Sequence, residues 1–342
     1  MKKVLYLMVL VFLLCSLTAT AEVDDSTWSY TSDCNFICSL EADNHFLSLA
    51  GHHGTWNQGS PRLEVWSPDT LDLQVYECEG YDGSITQGIS RIDENTFVVL
   101  RDREGNYNYI LEYISNGMVL WSSTTIPNAS RVYVVGEYIL VNSFPDQAST
   151  SLILIDKSGN VVWSHDWKEH LYFEDIIPSG ENYLAFGRTE ADDTYGVAVC
   201  LDMKGNEIWR YDESSKSEIV AAISDEQETV LLSNRFSGAY TTHLLKLQNG
   251  FLSEEQNFEP SDLGNEQSGP ATSQTALDMI QYGDGYIVAL SMQQPLADNC
   301  LIRYINADGN ILQEWLEEFS GVGNIQLASF VQDDSDVYLG IC

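Results

Sequence analysis

The chain has 342 residues, 51 of them acidic and 16 basic, giving a formal charge of −35 and a pI near 4.1. A surface this acidic repels phosphate backbones and anionic headgroups, so nucleic acid and bare membrane are poor partners. The formal charge itself points to solubility outside the cell or to diffuse weak binding of divalent cations. No loop has EF-hand spacing, so no metal site is expected.

Residues 1–21 read as a secretory signal. Lys2 and Lys3 give a basic start, Val4 to Leu14 an apolar run too short to span a bilayer, and Ala19-Thr20-Ala21 a small-residue cleavage site. The mature part, 22–342, keeps 14 basic against 51 acidic residues, a charge of −37. It is expected to be secreted or associated with a bacterial cell envelope, monomeric, and not inserted in a membrane once the signal is removed.

Within 22–342 a block of four strands, a to d, recurs about every 45 residues. Strand b aligns through the chain at Asn44–Ala50, Asn95–Arg101, Glu137–Ser143, Asn182–Arg188, Glu228–Asn234, Gly285–Ser291 and Asp336–Cys342. The c–d hairpin is the clearest part. It reads Ile110 to Trp121 with Asn116-Gly117 at the turn, then Leu152 to Trp163 with Asp156-x-x-Gly159-Asn160. It returns at Val197 to Trp209 with Asp202 and Gly205, at Leu244 to Phe251 with Asn249-Gly250, and at Leu301 to Trp315 with Asn306 and Gly309. Asp suits such a turn because its carboxylate accepts from nearby backbone N–H groups, and Gly supplies φ > 0. Residues 254–275, rich in Glu, Gln, Ser, Gly and Pro, read as a long loop.

Four-stranded blocks at this period predict an all-β fold, a single β-propeller over 22–342 with seven blades. The last blade would be shared: Ser26 to Tyr30 would supply its outer strand, removing exposed sheet edges. Eight blades or an open arrangement are the alternatives.

The sentence apolar-Asp-x-x-Gly-Asn-x-x-Trp after a Tyr-rich strand resembles the PQQ-like (quinoprotein alcohol dehydrogenase-like) β-propeller repeats of exported bacterial proteins. The resemblance spans roughly residues 33–342. It implies a propeller and no particular activity, since that fold hosts enzymes, scaffolds and binding proteins. Quinone-binding members carry a vicinal cysteine pair, and no two cysteines are adjacent here, so no cofactor is expected.

Six cysteines remain after the signal, and sequence alone allows 15 pairings. Cys34 and Cys38, if on one extended strand, lie ~13 Å apart and cannot bond to each other. A Cys34–Cys342 disulfide locking the two chain ends is the expectation, from their places at the start of the first strand a and the end of the last strand b.

Candidate ligand-binding residues lie at the far end of strand b, where the b–c and d–a loops meet. Arg101 and Arg188 share one repeat position and Arg235 is one place further on. His52, His53 and Trp56 sit at the matching end of the first block. Guanidinium groups suit carboxylate, phosphate or sulfate, and Trp56 could stack on a sugar. The competing reading pairs each arginine with blade carboxylates. There is no Gly-x-Ser-x-Gly, His-Glu-x-x-His or phosphate loop, so no catalytic residue is assigned. The expectation is a non-catalytic propeller that binds an extracellular ligand or surface protein through its loop face. The alternative is an enzyme acting there on carbohydrate or on a sulfated or acidic polymer.

Overall fold

Strands b are apolar almost throughout, as expected for strands covered on both faces, whereas strands d mix apolar and polar residues and are more exposed. In a computed structural model of the chain the described residues are 7–9, 28–30, 36–43, 46–55, 58–66, 72–77, 85–102, 108–146, 148–190, 193–225, 227–238, 240–258, 273–293, 298–319, 328–333 and 336–341. Every regular element among them is a β-strand.

Strands β1 (Leu7–Val9) and β2 (Trp28–Tyr30) form a parallel pair. Antiparallel meanders follow in chain order. The first holds β3 (Phe36–Asp43), β4 (Phe46–Thr55), β5 (Gln58–Trp66) and β6 (Leu73–Glu77). The second holds β7 (Ile85–Asp93), β8 (Thr96–Asp102), β9 (Asn108–Ser115) and β10 (Met118–Ser122), with the short β11 (Ile126–Pro127) also on β9. The third holds β12 (Ala129–Val135), β13 (Tyr138–Asp146), β14 (Ser149–Asp156) and β15 (Val161–Trp167).

A seven-stranded sheet comes next: β16 (Leu171–Ser179), β17 (Asn182–Thr189), β18 (Tyr195–Leu201), β19 (Glu207–Ser224), β20 (Thr229–Phe236), β21 (Tyr240–Gln248) and β22 (Phe251–Phe258). It is two blocks joined, because β19 serves both. Its first part, to Lys216, pairs with β18 as an outer strand, and from Ser217 it pairs with β20 as a first strand. Then come β23 (Ser273–Tyr282), β24 (Gly285–Gln293), β25 (Asp298–Asn306) and β26 (Ile311–Phe319), and last the pair β27 (Ala328–Asp333) and β28 (Asp336–Ile341).

The seven aligned b segments are therefore β4, β8, β13, β17, β20, β24 and β28, each the second strand of its block. The shared last blade differs from the expectation. Trp28–Tyr30 ladders with Leu7–Val9, from within the segment read as a signal, and β1 runs beside β28. Among the described residues no ladder joins β1 to β28, so these strands stand as two separate pairs and closure into a seventh blade is not seen. The run from Val4 to Leu14 is apolar and rich in Val and Leu, a composition that a sheet accepts as readily as a signal does.

Two compact units make up the chain. Unit 1 comprises Met1–Thr31, Phe173–Leu201 and Glu207–Cys342, and unit 2 comprises Ser32–Tyr172 and Asp202–Asn206. Within unit 2, one core gathers Leu63, Val65, Ile89, Phe97, Val99 and Ile114, and another is built around Val98, Leu100, Leu111, Ile139 and Val141. Unit 1 has a core around Leu232, Leu244, Phe258, Val288 and Leu290. Side-chain staples tie neighbouring blocks of unit 1 together. Asn234 exchanges two hydrogen bonds with the backbone of Ala276 (2.7 and 3.1 Å), and the half-buried Asp278 accepts from the Phe330 N–H at 2.9 Å.

The c–d turns repeat one geometry. Asp156 Oδ1 accepts from the N–H groups of Ser158 and Asn160 (2.9 and 2.8 Å), and Asp202 does the same for Lys204 and Asn206. The hydrogen bonds from Asn160 and Asn206 hold both carboxyls below the usual range. Gly159 and Gly205 have φ of 85° and 79°. At Asn116-Gly117 and Asn249-Gly250 both residues have positive φ, which makes two-residue type I′ turns.

Each turn receives a side chain from the preceding block. Trp121 lies over Gly159 and donates Nε1–H to Lys157 O at 2.8 Å; Trp163 lies over Gly205 and donates to Met203 O at 3.1 Å. Trp209 lies over Gly250, and Gln256 takes the same place over Gly309. A Cβ on Gly205 would come within 2.6 Å of the Trp163 ring. The Asp and Gly residues of the repeat thus build its turns, and Trp121, Trp163 and Trp209 pack over them.

Candidate functional site

The opposite ends of the strands carry the charged residues. In unit 2, Arg101 on β8 donates Nη2–H to Glu112 Oε1 at 2.6 Å, and the Glu112 side chain is fully buried on β9. His52 and His53 lie on β4, opposite Pro61 and Ser60 of β5. Trp56 lies outside the described residues, as do Cys34 and Cys342 and with them the expected disulfide. Cys200 is a buried free thiol, its pKa pushed by burial to about 11.

In unit 1, Arg188 ends β17 and meets three carboxylates. Its Nη1 donates to Glu174 Oε1 of β16 at 2.7 Å and also to Glu218 Oε1 of β19, and Nη2 lies 3.6 Å from Glu190. Two carboxyl oxygens on one guanidinium nitrogen bring Glu174 and Glu218 close together. Burial, and then the Glu174 carboxyl, push Glu218 up to about 7 against the pull of Arg188. Near neutrality Glu218 is partly protonated.

Arg235, at the end of β20, donates Nε–H to Glu213 Oε1 at 2.6 Å and Nη1–H to Glu255 Oε1. Glu213 also accepts from the Ser233 hydroxyl, and His243 Nδ1 lies 3.1 Å from Glu255 Oε1. Burial and the Arg235 charge lower the His243 pKa, which favours neutral imidazole. Burial would raise Glu255, but its bond to Arg235 and the guanidinium charge hold it low.

Gly196 makes these two clusters neighbours. It stands opposite Arg188 in the β17–β18 ladder, and a Cβ there would come within 2.5 Å of Glu213 Oε2. The absent side chain leaves room for the Glu213 carboxylate beside the Arg188 group. The result is one polar row with two arginines and five carboxylates: Glu174, Glu190, Glu218, Glu213 and Glu255. The local surroundings are negative, as in the reading that pairs the arginines with blade carboxylates: first strands bring Glu174 and Glu218 to Arg188, and outer strands bring Glu213 and Glu255 to Arg235. Sequence reasoning found the arginines by their scarcity. Its competing reading paired the arginines with blade carboxylates, Glu190 among them, but it did not single out Glu174, Glu218, Glu213 or Glu255, since single glutamates among 51 acids carry no signal of their own. Among the described residues no group of three or more His, Cys, Asp and Glu is arranged to hold a metal ion.

No family model matches the chain, and no curated protein matches it. The PQQ-like resemblance therefore remains one of repeats. Solved structures do match. The β-propeller domain of the trilobed protease from Pyrococcus furiosus aligns with a TM-score of 0.54 at 11% identity, covering 87% of this chain and 89% of that one. Polysaccharide lyase Uly1 aligns with a TM-score of 0.51 at 8% identity, over 99% of this chain and 93% of that one. At these identities the likeness establishes the fold: the chain is all-β and propeller-like.

Proposed function

We propose that this is an exported, non-catalytic β-propeller protein that binds an extracellular ligand or protein partner at the loop ends of its strands. One observation carries the reading: the row in unit 1 where five carboxylates surround Arg188 and Arg235. The arginines already hold carboxylates, so they serve to fix an excess of acceptor oxygens at the surface. Such a row suits hydroxyl-rich or amine-bearing groups, amino sugars among them, better than sulfated glycans. The experiment is a glycan array carrying neutral, amino and sulfated oligosaccharides. Retention on amino or neutral sugars, reduced by Arg188→Ala, is expected. Preferential retention on sulfated sugars, unaffected by Arg188→Ala, would overturn the reading.

A specific observation favours a second reading, an enzyme on extracellular carbohydrate. Glu218 is pushed up to about 7 beside Glu174, and a carboxyl that keeps its proton near neutral pH is what a general acid needs. The polysaccharide lyase shares the fold and lends no residue to this argument. Release of reducing ends or unsaturated sugars by the wild type, abolished in Glu218→Gln with binding retained, would replace the first reading by this one.

A further inference from the structure

Two neighbouring blocks of unit 1, β20–β22 and β23–β26, face each other across a seam that changes character along its length. Towards the c–d turns it is apolar, with Leu232 and Leu244 of one block against Val288 and Leu290 of the other. Strand residues two apart share a face, so Asn234 and Phe236 of β20 and Tyr240 and Thr242 of β21 continue the first surface. Gln274 and Ala276 of β23, opposite Met292 and Leu290, continue the second. The two bonds between Asn234 and Ala276 set the level of one surface against the other. One step nearer the loops, Gln274 therefore stands level with Phe236 and Tyr240. Gln274 is fully buried, and neither its Oε1 nor its Nε2 has a hydrogen-bond partner; the same holds for Thr242 Oγ1. Native interiors avoid such orphaned groups, because burying them unbonded costs free energy. Phe236 and Tyr240, by contrast, are 50% and 42% exposed, with ring centroids 5.2 Å apart.

We propose that Gln274, Thr242, Phe236 and Tyr240 form a binding site for one neutral sugar ring, such as the end unit of a glycan. The amide selects the group. Its Oε1 accepts and its Nε2 donates side by side, which matches two adjacent ring hydroxyls, one donating and one accepting. Asn234 grips a donor and an acceptor of Ala276 in that way one layer deeper. Thr242 Oγ1 takes a third hydroxyl, and the aromatic pair suits the apolar C–H face of the ring. A peptide offers one donor and one acceptor per residue and would leave Thr242 unbonded, whereas a sugar carries a hydroxyl on nearly every carbon. The three orphaned atoms belong to uncharged groups, so they favour neither a cation nor an anion. Exposed side chains change rotamer within nanoseconds, so the two rings can admit the sugar and then cover it. Arg235 lies between Asn234 and Phe236 in sequence and points to the opposite face of β20, which keeps this site apart from the row that holds Arg188 and Arg235. The proposal does not rest on that row.

The test is saturation-transfer NMR with the methyl glycosides of glucose, galactose, mannose and N-acetylglucosamine. Saturable binding of at least one is expected. Gln274→Leu and Tyr240→Ala should each weaken it about tenfold or more, and Thr242→Val, which keeps the side-chain shape, by about threefold or more. Phe251→Ala, at the other end of the block, should leave it unchanged. Thermal melting separates a ligand's amide from a structural one: Gln274→Leu should melt no lower than the wild type, because the amide is bonded to nothing in the fold. Saturable binding of none of the four glycosides, or binding kept in Gln274→Leu and Tyr240→Ala, would overturn the proposal. So would tighter binding of acetyl-trialanine amide than of any glycoside, or a Gln274→Leu protein that melts well below the wild type. Glycoside binding lost in Arg188→Ala but kept in Gln274→Leu would place the sugar on the other row, overturning this proposal and leaving that reading intact.

Discussion

The two ends of the strands obey different rules. At the c–d turns the same contact recurs from block to block: an Asp or Asn closes the turn, a Gly turns it, and a Trp or Gln of the preceding block covers the Gly. At the ends of strands b the three arginines are held differently. Arg101 donates to buried Glu112, Arg188 to Glu174 and Glu218, and Arg235 to a network that includes His243. Uniformity marks the end where geometry must repeat if blocks are to stack. Variation marks the end free to be adapted, and that is why the candidate site belongs there.

The sharpest way to break this contrast is at the uniform end. Gly205→Val adds a β-branched side chain at φ of 79° and drives its Cβ into the Trp163 ring, so a loss of about 4 kcal/mol is expected from urea unfolding. A loss below 1 kcal/mol would mean that the Trp–Gly contact does not hold the blocks.

At the variable end, Glu213→Leu leaves the Arg235 guanidinium without its fully buried partner and should cost about 3 kcal/mol. Arg235→Met together with Glu213→Leu should recover most of that loss. If the double variant is as unstable as the single one, packing of Glu213 against Gly196 matters more than charge.

A pH series on Glu218→Gln separates the two ends further. The folded pKa of Glu218 is raised to about 7 from its ordinary 4.5, so its protonated form stabilises fully below pH 4.5 and that contribution is lost as pH rises through 7. The variant should match the wild type at pH 4.5 and exceed it by roughly 3 kcal/mol at pH 8. Asp278, pushed by desolvation to about 7, leaves a residual slope of the same sign in both proteins. Parallel curves for variant and wild type would show that Glu218 does not keep its proton above the ordinary carboxylate range.

The smallest effect is expected for Trp121→Phe, which keeps the ring over Gly159 and removes the 2.8 Å bond to Lys157 O, at about 1 kcal/mol. A loss as large as that of Gly205→Val would place the strength of the contact in the hydrogen bond instead of the packing.

By itself the sequence determined the strands and their order. Alternating apolar residues and the Asp-x-x-Gly or Asn-Gly turns are local signals, and all seven b strands and all five hairpins stand where those signals put them. It also ranked Arg101, Arg188 and Arg235, because cations are rare in this chain. Only the tertiary structure decided what surrounds them. Glu174 and Glu218 lie 44 positions apart in the sequence and meet on one nitrogen of Arg188. No periodicity within a block encodes a contact made between blocks. The same holds for Gln256, which has nothing of a tryptophan in sequence and yet covers Gly309 as the tryptophans cover theirs. Phe251 and Leu252 were legible as strand residues, but their exposure was not. A strand's place at the edge of its sheet depends on which strands lie beyond it, and that is a property of the folded chain alone.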